Sequence, residues 1–474
     1  MTSRHNKKPS TANGQRDLTA GRVWVKLVQL AGPMLFGIAA VMSVQLVDTY
    51  FVGKLGTAPL AALSFSFPIA LTMASLSIGL SAGAASVIAR AVGRGHRRRT
   101  QRLATDSLIL TILVVVALTG IGLLTLDPVL RVLGAEADIL DMAVAYMRIW
   151  YLSLPFLVVT MVCNAMVRAS GDAAWPSSIM TGSALLNVIA TPILVFGAGP
   201  VPALGIEGAA LGTLLARIFS AALALYLVML RDRLVVSLRR SLGRFFKSSG
   251  KVLGVGLPAA VGNASNPAGI AVATALIAVL GSETVAAFGV ATRLEAFAIL
   301  PMLALSASIG PVVGQNWGGG RSDRVALALK TAYVLSAGWS LLLALFFWTF
   351  GRTLAGAFAS EASVADEAAR YLWIVPVSLW GYGISIIAAG AYNALGKPLI
   401  GLCYSLTRTA VCYVPLVWLA SSLDGSTTVY AAIAVANVLA GILVAVDSLF
   451  RIRRLAVLQD PHGAGHRQAR FMTR

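Results

Sequence analysis

Residues 47–63 read VDTYFVGKLGTAPLAAL, and 225 positions later residues 272–288 read VATALIAVLGSETVAAF. Leu55-Gly56 pairs with Leu280-Gly281, and Ala61-Ala62 pairs with Ala286-Ala287. The same offset holds outward in both directions. Pro33 matches Pro258, and Gly93 and Gly95 match Gly318 and Gly320. Glu136 matches Glu361, Asp141 matches Asp366, Tyr146 matches Tyr371, and Ala169 and Gly171 match Ala394 and Gly396, with no gap needed. The chain is therefore a duplication. One position breaks it: Asp48 lies in an apolar run, and its counterpart is Ala273. A duplicated chain that keeps a carboxylate in only one copy implies an asymmetric ion site.

Of the 474 residues only 12% are charged and 57% are hydrophobic. Soluble domains carry about 25% charge. Apolar runs of roughly 20 residues, long enough to cross a bilayer as helices, recur throughout. They do not alternate in polarity, which argues against a β-barrel. The net charge of +19 does not imply nucleic acid, because most basic residues fall in short segments between apolar runs. Cys163, Cys403 and Cys412 lie in apolar segments without metal-ligand spacing. No metal centre, disulfide framework or prosthetic cofactor is expected.

Twelve spans are expected, near 23–53, 59–92, 103–126, 139–167, 175–198, 205–230, 251–280, 285–318, 325–350, 367–394, 398–421 and 428–450. If the N-terminus is inside, the inner segments hold Arg4, Lys7, Lys8, Arg16, Arg22, Lys26 and the Arg94 to Arg102 cluster. They also hold the Arg231 to Lys251 linker, Arg321, Arg324, Lys397, Arg451, Arg453 and Arg454. The outer segments hold only Lys54, Arg131, Arg352 and Arg370, among acids such as Asp127, Glu136, Asp138, Glu283, Glu361 and Asp424. This lysine and arginine bias places both termini in the cytoplasm. An even number of spans per half makes the repeat parallel, with its pseudo-twofold axis along the membrane normal. The expected organisation is a tail (1–22), a six-helix lobe (23–230), a linker (231–250), a second six-helix lobe (251–454) and a second tail (455–474). The polar, basic start has no apolar core, so it is not read as a cleaved signal peptide. The linker is basic and amphipathic, suited either to lie on anionic lipid or simply to set topology.

Charges inside apolar spans need a reason. Asp48, Arg217, Arg293, Glu295 and Arg408 are deep, and Arg148 is shallower. Asp48 stands six residues before Lys54, roughly 9 Å from the helix end at ~1.5 Å per residue. There it could hold a proton and release it on hydration, ligate sodium, or pair with an arginine. Arg293 and Glu295 are two residues apart, about 200° around a helix, so they point to different partners. Arg217 and Arg408 are expected to neutralise carboxylates or bond backbone carbonyls. Arg217, Arg293, Glu295 and Arg408 are also the candidates for lining a substrate cavity. There is no P-loop, HExxH or GxSxG pattern, so no enzyme activity is expected and energy must come from an ion gradient or a partner.

VDTYFVGKLGTAPLAAL (47–63) resembles the first-helix signature of the multidrug and toxic compound extrusion (MATE) family. ATRLEAFAILPMLALSASIGPVVGQNWGGG (291–320) resembles its eighth-helix signature. RASGDAAWP (168–176), LNVIATPILVFG (186–197) and GIEGAALGT (205–213) fit as well. The likeness covers nearly all of 23–454, and its style is nearest the DinF-type prokaryotic branch. The resemblance implies an all-α membrane fold with two six-helix lobes around a V-shaped cavity. It implies export of cationic or amphipathic small molecules against protons or sodium, by a chain expected to be monomeric in a prokaryotic plasma membrane. It assigns the coupling ion to Asp48, with Asn187 and Thr213 beside it. Many relatives carry an aspartate four residues after that asparagine; here the position is Thr191. The site thus keeps oxygen ligands at Asp48, Asn187 and Thr213 but loses a charge, which favours a proton over sodium. A flippase of lipid-linked precursors is the alternative cargo reading.

Overall fold

The computed structural model describes residues 17–135, 137–236, 245–359, 361–423 and 425–459. Both tails beyond these limits, Glu136, Asp424 and positions 237–244 of the linker lie outside the described residues. Helices account for nearly all of what is described. They are α1 (Val23–Gly53), α2 (Thr57–Gly93), α3 (Arg97–Leu124), the short α4 (Leu126–Val132), α5 (Ala137–Ala169), α6 (Ala174–Phe196) and α7 (Gly205–Tyr226). The second half holds α8 (Phe245–Ile277), α9 (Ser282–Ala298), α10 (Leu300–Gly318), α11 (Ser322–Phe358), α12 (Ala362–Ile374), α13 (Leu379–Leu395), α14 (Pro398–Leu406), α15 (Val414–Ser421) and α16 (Ser426–Gln459).

Eleven of these segments are long and apolar enough to cross a membrane, or 12 if the bent pair α9 and α10 counts as one span. The expected single span at 285–318 is thus two helices meeting at 45° next to Pro301. Proline cannot donate the bond that would carry the helix through. The tenth span is interrupted at Pro376–Ser378, and the eleventh widens into a π-helical stretch at Thr407–Tyr413. The last residues of the expected linker, from Phe245 on, already belong to α8. Large apolar side chains stand exposed on α11, among them Leu341, Leu342, Leu345, Phe346 and Trp348. Such a surface suits lipid and not water.

The halves join at one end of the molecule, where α1 and α8 begin and α2 and α10 finish. We call it the basic end, because the Arg94 to Arg102 cluster lies there. Leu27 packs in a core shared with α10, α11 and α13, and its repeat-mate Val252 packs in the core of the first half. A β-carbon at Gly93 would overlap the carbonyl oxygen of Gln315, and one at Gly318 would overlap that of Arg90. Arg90 and Gln315 are themselves repeat-mates, so the two contacts interchange under the 225-residue offset. Gly314 meets Ala89, its own mate, which marks where the pseudo-twofold axis passes.

Hydrogen bonds repeat the pattern. The Arg90 guanidinium donates to the Ala394 carbonyl at 2.6 Å, and the Gln315 amide donates to the Ala169 carbonyl at 2.8 Å. These bonds are mates too, with arginine in one copy and glutamine in the other. Ser86 adds a short bond to the Asn393 carbonyl. Gln315 and Asn316 also tie down the segment before α1, through the amide and carbonyl of Leu18 at 3.2 and 3.1 Å. Toward the other end, Leu46 and Tyr50 of α1, Leu71 of α2 and Val272 of α8 are exposed. The bonds and close backbone contacts between the halves are thus gathered at the basic end, and together they form a latch.

Candidate functional site

Asp48 sits near the end of α1 farthest from the latch. Its carboxylate reaches α6 and α7. On α6, Asn187, Thr191 and Val195 form one buried stripe at four-residue spacing, the period that stacks side chains on a helix face. On α7, Gly212 lets the two helices close in, since a β-carbon there would meet Thr191 Oγ1 at 2.8 Å. The glycines of the 205–213 motif thus set the depth at which Thr213 is presented.

Thr191 donates to Asp48 Oδ1 at 3.2 Å, and Thr213 makes a long contact to Oδ2 at 3.5 Å. Asn187 in turn donates to Thr213 Oγ1 at 3.2 Å, while its own Oδ1 is buried with no hydrogen-bond partner. The four residues expected to take part in ion coupling are therefore in one cluster, drawn from three helices. Arg217 is one turn beyond Thr213 and within electrostatic reach of Asp48 and Tyr146, yet it forms no ion pair. It donates to Ser153 at 2.5 Å and lies 5.1 Å from the Trp150 ring centre.

The second half holds a separate polar cluster. Glu295 accepts from the Tyr371 hydroxyl at 2.6 Å. Arg408 donates to Asn266 at 2.7 Å and Asn437 at 3.1 Å, with the Tyr382 ring 4.3 Å away. Against expectation, neither Arg217 nor Arg408 forms a direct ion pair or bonds a backbone carbonyl among the described residues. Their bonds go to neutral side-chain oxygens and they lie over aromatic rings, while Asp48 and Glu295 remain within electrostatic reach of them. Arg408 is largely buried, with its Nε and Nη1 bonded within its own half. Arg293 and Glu295 do point apart: Arg293 is exposed, with no hydrogen bond or ion pair among the described residues. Arg148 is exposed as well. Cys163, Cys403 and Cys412 are free thiols.

Sequence reading missed the residues that support these charges: Ser153, Trp150, Asn266, Asn437, and above all Tyr371. A signal for the last existed, because Tyr146 and Tyr371 are mates in the repeat. Tyr371 bonds the carboxylate of its half directly, whereas Tyr146 forms no hydrogen bond to Asp48 and is only within its electrostatic reach.

A duplicated helical membrane protein with a carboxylate held among hydroxyls inside one half has the build of a membrane transporter. The family model MatE matches residues 33–193 and 258–419, once per repeat. The chain belongs to this family and is a transporter, not an enzyme. It is 35% identical over 424 residues to an FAD transporter of Shewanella oneidensis, covering 89% of this chain and 93% of that one. It is 26% identical to the probable multidrug resistance protein YoeA of Bacillus subtilis, over 80% of this chain and 82% of the relative. Among solved structures, a mutant of the Vibrio cholerae MATE transporter VcmN superposes with a TM-score of 0.87. That pair is 29% identical over 91% of this chain and 97% of the other.

Proposed function

We propose that the chain is a secondary active exporter driven by protons taken up at Asp48. The observation that carries this reading is the carboxylate's surroundings. Its oxygens accept from two threonine hydroxyls on different helices, and no cation pairs with it among the described residues. A carboxyl in such a place can exchange a proton without breaking an ion pair, and hydroxyls can donate to the charged form or accept from the neutral one. Proton uptake thereby rearranges the bonds that hold α1 to α6 and α7. Pro33, on the same helix, interrupts the backbone ladder and supplies a bending point. The lobes at 23–230 and 251–454, joined by the linker 231–250, would then rock between access states. The lysine and arginine bias supports a cytoplasmic basic end and cytoplasmic termini, and the bacterial relatives support a prokaryotic plasma membrane.

The test is gradient-driven efflux from proteoliposomes. Asp48→Asn is expected to abolish pH-driven efflux while leaving substrate binding; undiminished efflux would sink the reading. The unpartnered Oδ1 of Asn187 favours sodium as the second reading, since it adds a fifth oxygen to the two of Asp48 and the two threonine hydroxyls. A sodium gradient that drives efflux at constant pH, and loses that power in Thr191→Val, would replace the proton.

For cargo we propose an amphipathic aromatic solute. The resemblance implies cationic or amphipathic small molecules. Glu295 is already bonded to Tyr371, however, and the other deep charge of α9, Arg293, has no hydrogen bond or ion pair among the described residues, while Glu283 stands exposed in the first turn at the helix end. Arg293 favours a cargo with negative charge, and the relative at 35% identity bears the name FAD transporter. Arg293→Gln is expected to cut FAD transport about tenfold, the effect of losing ~1.4 kcal/mol, and to spare a cationic dye. The opposite pattern would restore the cationic reading.

A further inference from the structure

At the basic end an open cavity of about 800 Å3 is lined by Arg94, Arg97, Arg98, Arg99, Arg102, Lys247 and Lys251, with His96 and Ser248. Seven cationic side chains converge there, and none of them forms an ion pair among the described residues. Asp106, fully buried on α3 near Arg102 and Ser248, offsets a single charge. The neighbouring linker cannot supply the rest, since residues 237–244 add Arg239, Arg240 and Arg244 and no acid. Topology bias explains why basic residues lie on this side of the membrane. It does not explain why they gather around one cavity.

Three features make the cavity more than a charged patch. First, α3 opens into it at Arg97 without a side-chain cap; the Arg97 and Thr100 amides bond to Gly95 and His96, which leaves those of Arg98 and Arg99 to meet an anion. Second, the Nε of Arg102 is buried without a partner. Third, the lining comes from both halves: the α2–α3 turn belongs to the first, and Lys247, Ser248 and Lys251 stand at the start of α8 in the second. Arg90, which carries the latch, is within electrostatic reach of Arg94, Arg99 and Lys251.

We propose that this cavity binds a phosphate-bearing anion, and that the bound anion bridges the two halves and holds the basic end closed. The shared chemistry is the phosphate oxyanion, which guanidinium forks and free helix N–H groups recognise together. It can come from an anionic phospholipid headgroup or from a soluble phosphate. Phe246, next to Lys247 and 87% exposed, is placed as an aromatic anchor at headgroup depth and favours the lipid.

The test uses the full chain purified in a nonionic detergent, with the thermal unfolding midpoint followed during titration. The probes are phosphatidylglycerol, phosphatidylcholine and inorganic pyrophosphate. The expected result is a saturable rise with phosphatidylglycerol, absent with phosphatidylcholine and suppressed at high salt. A rise with pyrophosphate as well shows that the site also reads a free phosphate; a rise with pyrophosphate alone assigns the site to a soluble ligand. The variant Arg99→Gln/Lys247→Gln/Lys251→Gln is expected to weaken the response at least tenfold, while Arg352→Gln at the opposite end leaves it unchanged. Equal responses to both lipids with none to pyrophosphate, or a folded triple variant that responds like the parent, would overturn the proposal. Should that variant fail to fold, native mass spectrometry of the unmodified chain decides. Retention of phosphatidylglycerol or pyrophosphate over phosphatidylcholine supports the site, and no preference refutes it.

Discussion

Asp48 and Glu295 occupy unrelated positions in the repeat, and only Glu295 is bonded by the repeated tyrosine of its half, Tyr371; Tyr146 is within electrostatic reach of Asp48 without bonding it. The two settings differ in a way that matters for work. Glu295 receives a hydroxyl at 2.6 Å inside its lobe, whereas Asp48 receives longer bonds from two helices. The tighter bond reads as structural support and the looser network as a site that can change state. Tyr371→Phe removes the donor and leaves a buried carboxylate one partner short, which costs about 1–3 kcal/mol. A lowered thermal midpoint, with proton coupling retained, is the expected result. Loss of coupling in that variant would instead make Glu295 a second ion site. The corresponding Thr213→Val removes a hydroxyl that links Asn187 to Asp48. It is expected to slow pH-driven efflux severalfold with little change in stability, as checked by efflux rate against unfolding midpoint.

At the scale of elements, the sequence showed most of what carries the fold. Span positions and the repeat were legible because apolar length and fixed spacing are local signals, whereas Asn187 and Thr213 were singled out by the family resemblance and the structure brings them together with Asp48 and Thr191. The break at Ile299 was not legible, since proline is common in membrane helices and only packing against neighbours decides where one bends. The partners of Arg217 and Arg408 were also hidden, because they come from helices distant in sequence. Gly93 and Gly318 were visible as mates, but their reason appears only in the close approach of α2 and α10 at the basic end. That approach makes a prediction. Gly93→Ala or Gly318→Ala forces a methyl onto a backbone carbonyl, a kind of overpacking that costs typically ~1–3 kcal/mol. Either change should loosen the latch, lengthening the spin-label distance between positions 96 and 321. Gly120→Ala, which meets open space, should leave that distance alone; if all three variants behave alike, the contact is not what holds the end shut.

For the whole molecule, the arrangement of contacts fixes what motion is possible. Every bond that joins α2 to α13, and Gln315 to α5, lies at the basic end. These contacts interchange about the pseudo-twofold axis, so opening this end is a rotation that breaks mated bonds together. The buried cores on either side are close-packed and move as bodies. A rotation of two rigid halves that separates one end must bring the other end together. Lys54 and Val279 are mates at the far ends of α1 and α8, both exposed and therefore tolerant of a spin label. Under conditions that protonate Asp48 and supply cargo, the 54–279 distance is expected to shorten as the 96–321 distance lengthens. Pulsed dipolar measurements on both pairs in nanodiscs test this. Opposite changes of similar population support alternating access about the latch. If both distances grew together, the halves would be coming apart without rocking, and the closed end would be no gate.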